Sequence, residues 1–155
     1  MSQNWTPDLI ISIRFGQIFH EPIISLPKFG IINLHSGILP HYRGIMATFW
    51  AMLDNQKQQN KNQIGCTLHQ INDRSIDTGD IINIHKINSD PSLPFLHNVL
   101  RLYRSGANMI ADYITNLEMK KKPTAKVQNK NDGQYFGYPD DMEVRKFLHN
   151  VSALF

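Results

Sequence analysis

The chain has 155 residues, a formal net charge of +3 and a hydrophobic share of 41%, which fits one domain with a real core and excludes general disorder. No apolar run approaches the roughly 20 residues that span a bilayer, residues 1–7 show no signal-peptide pattern, and the charge is too modest to indicate nucleic acid. The single cysteine, Cys66, cannot close an internal disulfide and suits a reducing cytoplasm.

Residues 8–13 carry Leu9, Ile10, Ile11 and Ile13 in a continuous apolar run. Such a run predicts a strand buried on both faces, the signature of a parallel sheet. A loop at Arg14 to Gln17 leads to a predicted short helix over 19–26, begun near Pro22 and bounded by Pro27 and Gly30. Residues 30–35 form a second buried strand, completing a βαβ unit with a right-handed crossover. Ligands bind beyond the carboxyl ends of such strands.

After a loop over 36–44, residues 45–53 predict an apolar helix and 54–63 an exposed polar loop. Strands follow over 63–71 and 80–87, neighbours joined by a loop at 72–78. Leu96, Val99, Leu100, Tyr103, Ala107, Ile110, Tyr113, Ile114 and Leu117 recur at intervals of three and four, so 93–117 reads as one long amphipathic helix. Lys120-Lys121-Lys122-Pro123 ends it. Residues 124–133 read as a polar linker, 134–138 as an aromatic segment and 139–150 as a last short helix. The lysines at 120–122, 126 and 130 fit an exposed linker better than a nucleic-acid surface.

Asn33 and His35 lie two apart on a strand and so share a face. The amide can donate to a developing oxyanion, and the imidazole can exchange protons near neutral pH. Taken alone, the pair reads more simply as a strand-end amide and a histidine satisfied by backbone. Ile76-Asp77-Thr78-Gly79-Asp80 alone is a turn, whose carboxylate could orient an imidazole. Tyr42-Arg43-Gly44 offers a guanidinium able to fork onto phosphate or carboxylate, which would make Tyr42 and Arg43 substrate contacts, or else a solvated arginine. Cys66 and His69 fall on opposite faces of their strand and make poor joint ligands, so no metal is expected. Phosphate-loop, dinucleotide and nucleophile-elbow motifs are all missing from the sequence.

Four stretches in order, Asn33-Leu34-His35, Leu39-Pro40-His41-Tyr42-Arg43-Gly44, Gly65-Cys66-Thr67-Leu68-His69 and Ile76-Asp77-Thr78-Gly79-Asp80, resemble the folate-dependent formyltransferase family over residues 7–87. That family includes the methionyl-tRNA, glycinamide ribonucleotide and sugar-nucleotide N-formyltransferases. The resemblance implies an α/β fold: a partial Rossmann-like core with a mostly parallel sheet over 7–118, including a long helix, then a linker and short C-terminal extension over 119–155. It implies catalytic roles for Asn33, His35 and Asp77, with 10-formyltetrahydrofolate as formyl donor and no metal. Asn33 and protonated His35 would stabilise the oxyanion, His35 would move a proton, and Asp77 would orient it. Phe15, Gly16, Gln17, Ile18 and Phe19 match one wall of the folate site, and Gln70, Ile71, Asn72 and Asp73 the other.

Two departures stand out. The family's His-Pro-Ser-Leu-Leu-Pro is here His35-Ser36-Gly37-Ile38-Leu39-Pro40, and the family carries further strand–helix units before the equivalent of Asp8. A core truncated at its N-terminus is therefore expected, or a sheet completed by another chain, with the apolar edge at 8–13 as a surface for homo-oligomer formation. The aromatic-proline segment Gln134-Tyr135-Phe136-Gly137-Tyr138-Pro139-Asp140 resembles that of polysaccharide-cluster members, so the expected acceptor is the amine of a nucleotide-linked amino sugar. Alternatives are a catalytically inactive binding module, a methionyl-tRNA-type activity and hydrolysis of 10-formyltetrahydrofolate.

Overall fold

The computed structural model describes residues 6–57, 62–121, 123–149, 151 and 153–154. The N-terminal lead over 1–5, the middle of the expected polar loop, Lys122 and Asn150 lie outside the described residues.

The main sheet has four strands in the order β1 (Ile10–Ile13), β2 (Ile31–His35), β4 (Gln63–Ile71) and β5 (Ile81–Asn88). β1 pairs parallel to β2, while β2–β4 and β4–β5 are antiparallel. The sheet is thus mixed, and its parallel part is the β1–β2 pair alone. A long connection through 36–62 brings β4 back beside β2, and the short link over 72–80 between β4 and β5 suffices only for an antiparallel return.

Two local expectations at β1 are corrected. Ile11 and Ile13 are 39% and 47% exposed, so only one face of this edge strand is covered. Residues 21–29 form successive turns in place of the expected helix: Ile23 and Ile24 both donate to the His20 carbonyl, and Gly30 to that of Pro27. Pro22 and Pro27 leave too few amide donors for a stable helix there.

The core is built from α1 (Ala47–Lys57), α2 (Phe95–Glu118) and the inner sheet strands. Ala47 to Leu53 are all buried, consistent with an apolar run that lacks a polar stripe. α2 lays Val99, Leu102, Met109, Ile110 and Tyr113 inward. Gly106 belongs to the same face, and a Cβ there would stand 2.5 Å from Leu34. The glycine weakens the isolated helix but lets it settle directly on β2.

The C-terminal segment is more than an extension. β6 (Gln134–Phe136) pairs parallel with β3 (Tyr42–Gly44) in a second, two-stranded sheet. α3 (Asp141–Leu148) opens with a capping box between Asp140 and Glu143 and buries Phe147 completely. The Phe147 ring stacks on Phe49 at 4.4 Å and meets Phe95 edge-on at 5.8 Å. The expected linker also crosses the body: Lys126 and Ile81 exchange backbone hydrogen bonds, and Gln128 is buried.

Candidate active site

Asn33 and His35 point from β2 to the same face, as their spacing requires. On β4 the antiparallel register sets His69 opposite Asn33 and Thr67 opposite His35. A register shift against β5 falls between Leu68 and His69, the kind of local irregularity that re-aims a side chain beside a site. Asp77 reaches in from the loop between β4 and β5 with φ +53°. Four polar side chains from three segments therefore converge.

Asp77 lies at the centre. Its Oδ2 is 3.5 Å from His35 Nδ1 and accepts the Gly44 backbone N–H at 2.8 Å, while its Oδ1 is 3.3 Å from His69 Nε2. Burial alone would push the Asp77 carboxyl up. The close approach of His69, the His35 ring and the Gly44 N–H outweigh it and hold the group below its ordinary value of 3.8. Asp77 is an anion throughout the neutral range.

The tautomer of His35 follows from its partners. Nε2 lies 2.6 Å from the Tyr42 carbonyl, which can only accept, so Nε2 carries a proton. Nδ1 is the atom left to exchange one. Burial pushes the ring below its ordinary 6.5, against the opposing pull of Asp77 and the Tyr42 carbonyl. The resting ring is therefore neutral at pH 7, and the protonated form that the family resemblance implies would arise only after Nδ1 takes up a proton.

His69 completes the cluster, although the sequence gives it no role beyond closing the Gly65–His69 stretch. It is 1% exposed. Nδ1 donates to the Gln70 carbonyl at 2.8 Å, and Nε2 lies 3.1 Å from Asn33 Nδ2. The available signal was strand pairing: a histidine opposite Asn33 in an antiparallel neighbour must share its face. With one Nδ2 hydrogen directed at His69, the Asn33 amide keeps its second donor for a ligand.

The loop after β2 is built around this arrangement. Thr67 Oγ1 donates to the Gly37 carbonyl at 2.6 Å and accepts from the Leu39 amide at 3.1 Å, anchoring a loop that lacks the family's first proline. A Cβ on Gly37 would stand 2.6 Å from His35 Nε2 and 2.7 Å from the Tyr42 oxygen. Glycine is needed there for the His35–Tyr42 hydrogen bond to form.

A cleft of about 520 Å³ opens from the cluster, within the range of small-molecule sites. Phe15, Gly16, Gln17, Ile18 and Phe19 all line it, as do Asn33, His35 and Asp77. The opposite wall is shifted along the chain: Ile71 and Asp73 line the cleft together with Arg74, Ser75 and Ile76, but Gln70 and Asn72 do not. Strand alternation turns Gln70 to the other face, where its side chain bonds the Tyr113 hydroxyl. Tyr135 and Tyr138 join the lining from the C-terminal segment.

Tyr42 and Arg43 do not line the cleft, which argues against their reading as substrate contacts. Arg43 is 6% exposed, and its guanidinium donates to Gln128 Oε1 at 3.2 Å and to the carbonyls of Asn129 and Lys130 at 3.2 and 2.9 Å. The Tyr42 ring stacks on Phe136, and its hydroxyl donates to Asp54. The parallel β3–β6 pairing turns these side chains away from solvent.

A mixed α/β body thus carries an amide, two imidazoles and a carboxylate at a strand end, beside a largely apolar cleft, an arrangement suited to proton transfer. A sequence model of the formyl transferase family matches residues 1–94, and the chain belongs to that family. It is 30% identical over 158 residues to a methionyl-tRNA formyltransferase of Clostridioides difficile, an alignment covering 96% of this chain and 48% of the relative. Other curated relatives of that name are matched over about a third of their length. Among solved structures it is similar to the formyltransferase PseJ from Anoxybacillus kamchatkensis in complex with UDP-4,6-dideoxy-4-formamido-L-AltNAc and tetrahydrofolate, with a TM-score of 0.69 and 26% identity over 92% of this chain and 69% of that one. It is also similar to an N-formyltransferase from Helicobacter canadensis in complex with folinic acid and dTDP-3-aminofucose, with a TM-score of 0.62 and 25% identity over 81% and 44% of the two chains.

Proposed function

We propose that this chain transfers a formyl group from 10-formyltetrahydrofolate to the primary amine of a nucleotide-linked amino sugar. The observation that carries the reading is the contact of Asp77 with His35 and His69 beside Asn33, at the end of a cleft walled by Phe15 to Phe19, Ile71 and Asp73 to Ile76. The apolar and aromatic walls suit the flat donor. The amine attacks the formyl carbon, and Asn33 donates its free N–H to the oxyanion that forms. His35 Nδ1 takes the proton released by the amine, and the resulting imidazolium faces the Asp77 carboxylate. Collapse breaks the bond from the formyl carbon to N10 of the folate, which receives that proton. The products are a formamide and tetrahydrofolate.

Support for the acceptor comes from the two sugar-nucleotide complexes to which the chain is similar and from the exposed rings of Tyr135 and Tyr138, which face the cleft. A second reading, methionyl-tRNA as acceptor, is favoured by the curated relatives. Incubating the protein and donor with UDP- and dTDP-linked amino sugars, and in parallel with methionyl-tRNA, separates them: formylated sugar without formylated tRNA supports the first, and the reverse supports the second. The reading places the reaction in the cytoplasm, where the unpaired Cys66 stays reduced. It also includes self-association through the β1 edge. Sedimentation should then show a species larger than one chain, which Ile13→Lys dissociates.

A further inference from the structure

We propose that Gln128 is a positioning residue: it ties the Asp77 loop to β3 and so holds the Asp77 carboxylate against His35. It lies beyond residues 1–94, the part matched by the family, in the stretch whose composition reads as linker. Its side chain is 7% exposed and uses both N–H donors and its carbonyl oxygen between two segments. Nε2 donates to the carbonyls of Asp77 and Gly79 at 3.2 and 2.5 Å. Oε1 accepts from Arg43 at 3.2 Å.

Both segments that Gln128 joins serve the same carboxylate. Arg43 sits between Tyr42, whose carbonyl fixes the His35 tautomer, and Gly44, whose amide binds Asp77. On the other side, Asp77 holds φ +53°, a backbone region that a non-glycine residue keeps only when its surroundings over-determine it. The hydrogen bond from Gln128 to the Asp77 carbonyl is one such restraint. The arrangement also gives the buried Arg43 a role: its two terminal nitrogens reach the carbonyls of Asn129 and Lys130 as well as Gln128, so the guanidinium anchors the segment that carries Gln128. Without the Gln128 N–H groups the loop can relax, and Asp77 can withdraw from His35 Nδ1.

The test uses Gln128→Met, which is close in volume and neutral, and Gln128→Glu, which keeps an acceptor for Arg43 but loses both N–H donors. Val127→Ala, at a position 76% exposed, is the control. Asp77 and His69 are the titratable groups facing His35. NMR titration of the His35 ring, assigned with His35→Ala, should show its midpoint fall in Gln128→Met, because the Asp77 carboxylate that raises it has moved away. Hydrogen exchange of the 72–80 amides should quicken in both variants and stay unchanged in the control. These readouts need no turnover. The kinetic arm rests on the formyl-transfer reading: kcat should fall roughly tenfold to a hundredfold in both variants with KM for the folate donor unchanged. An unmoved His35 midpoint in folded Gln128→Met, or wild-type exchange over 72–80 in Gln128→Glu, would overturn the proposal. A wild-type protein that forms no formamide while the midpoint shift is present would overturn the functional reading and leave the positioning role standing.

Discussion

Asp77→Asn tests the site most sharply, because it removes a charge and little else. The amide oxygen can still accept the Gly44 N–H that now reaches Asp77 at 2.8 Å, so the loop should hold. The carboxylate lies 3.5 Å from His35 Nδ1. At an effective dielectric of about 20, unit charges at that separation attract by about 5 kcal/mol. A proton half transferred to Nδ1 in the transition state realises about half of it, or about 2.4 kcal/mol, which is roughly 60-fold in kcat. If the new amide instead donates to the Nδ1 lone pair, it occupies the base and deepens the loss. Tetrahydrofolate release under saturating donor and acceptor, with the melting temperature as a check on folding, reads the effect. A folded Asp77→Asn protein within threefold of wild-type kcat would refute the assignment of Asp77 as the partner of the His35 imidazolium.

The pH dependence should be one-sided. His35 has its folded pKa lowered from 6.5, so kcat/KM should be flat above 6.5 and fall with a midpoint below it. Stability follows the same direction: the His35 contribution is complete above 6.5 and is lost as pH falls towards its folded pKa, while that of Asp77 is complete above 3.8 and is lost below it. Melts between pH 8 and pH 3 should decline only on the acid side, and a maximum in acid would contradict both shifts. Gly37→Ala should destabilise the fold by about 1–3 kcal/mol through the crowding of His35 and Tyr42 and should remove most turnover; wild-type melting and activity would count against the packing argument. Phe147→Ala should cost about 3–5 kcal/mol in denaturant unfolding, since its ring is wholly buried on Phe49. A loss under 1 kcal/mol would mean that α3 is not part of the core.

Much of the site was readable because strand periodicity is rigid. Two residues apart on a buried strand had to place Asn33 and His35 together, and the four spaced motifs pointed to Asp77. The longer regular elements, β2, β4, β5 and α2, carry enough apolar pattern to be found within a few residues. What was missed depends on pairing between distant segments. Tyr42-Arg43-Gly44 is short and reads as a loop until β6 arrives from far along the chain, and only that pairing turns Arg43 inward. His69 looks like an isolated strand histidine until the antiparallel register sets it opposite Asn33. The exposure of Ile11 and Ile13 was hidden for a related reason: an apolar run reports that a strand can be buried, not that a neighbour covers it.

The central claim is formyl transfer, and the most direct measurement is mass spectrometry of quenched mixtures of the protein, 10-formyltetrahydrofolate and UDP- or dTDP-linked amino sugars. The account predicts a formamide product and tetrahydrofolate in equal amounts, both lost in a folded His35→Ala variant. Tetrahydrofolate released without any formamide, or no product of either kind from folded wild-type protein, would contradict it.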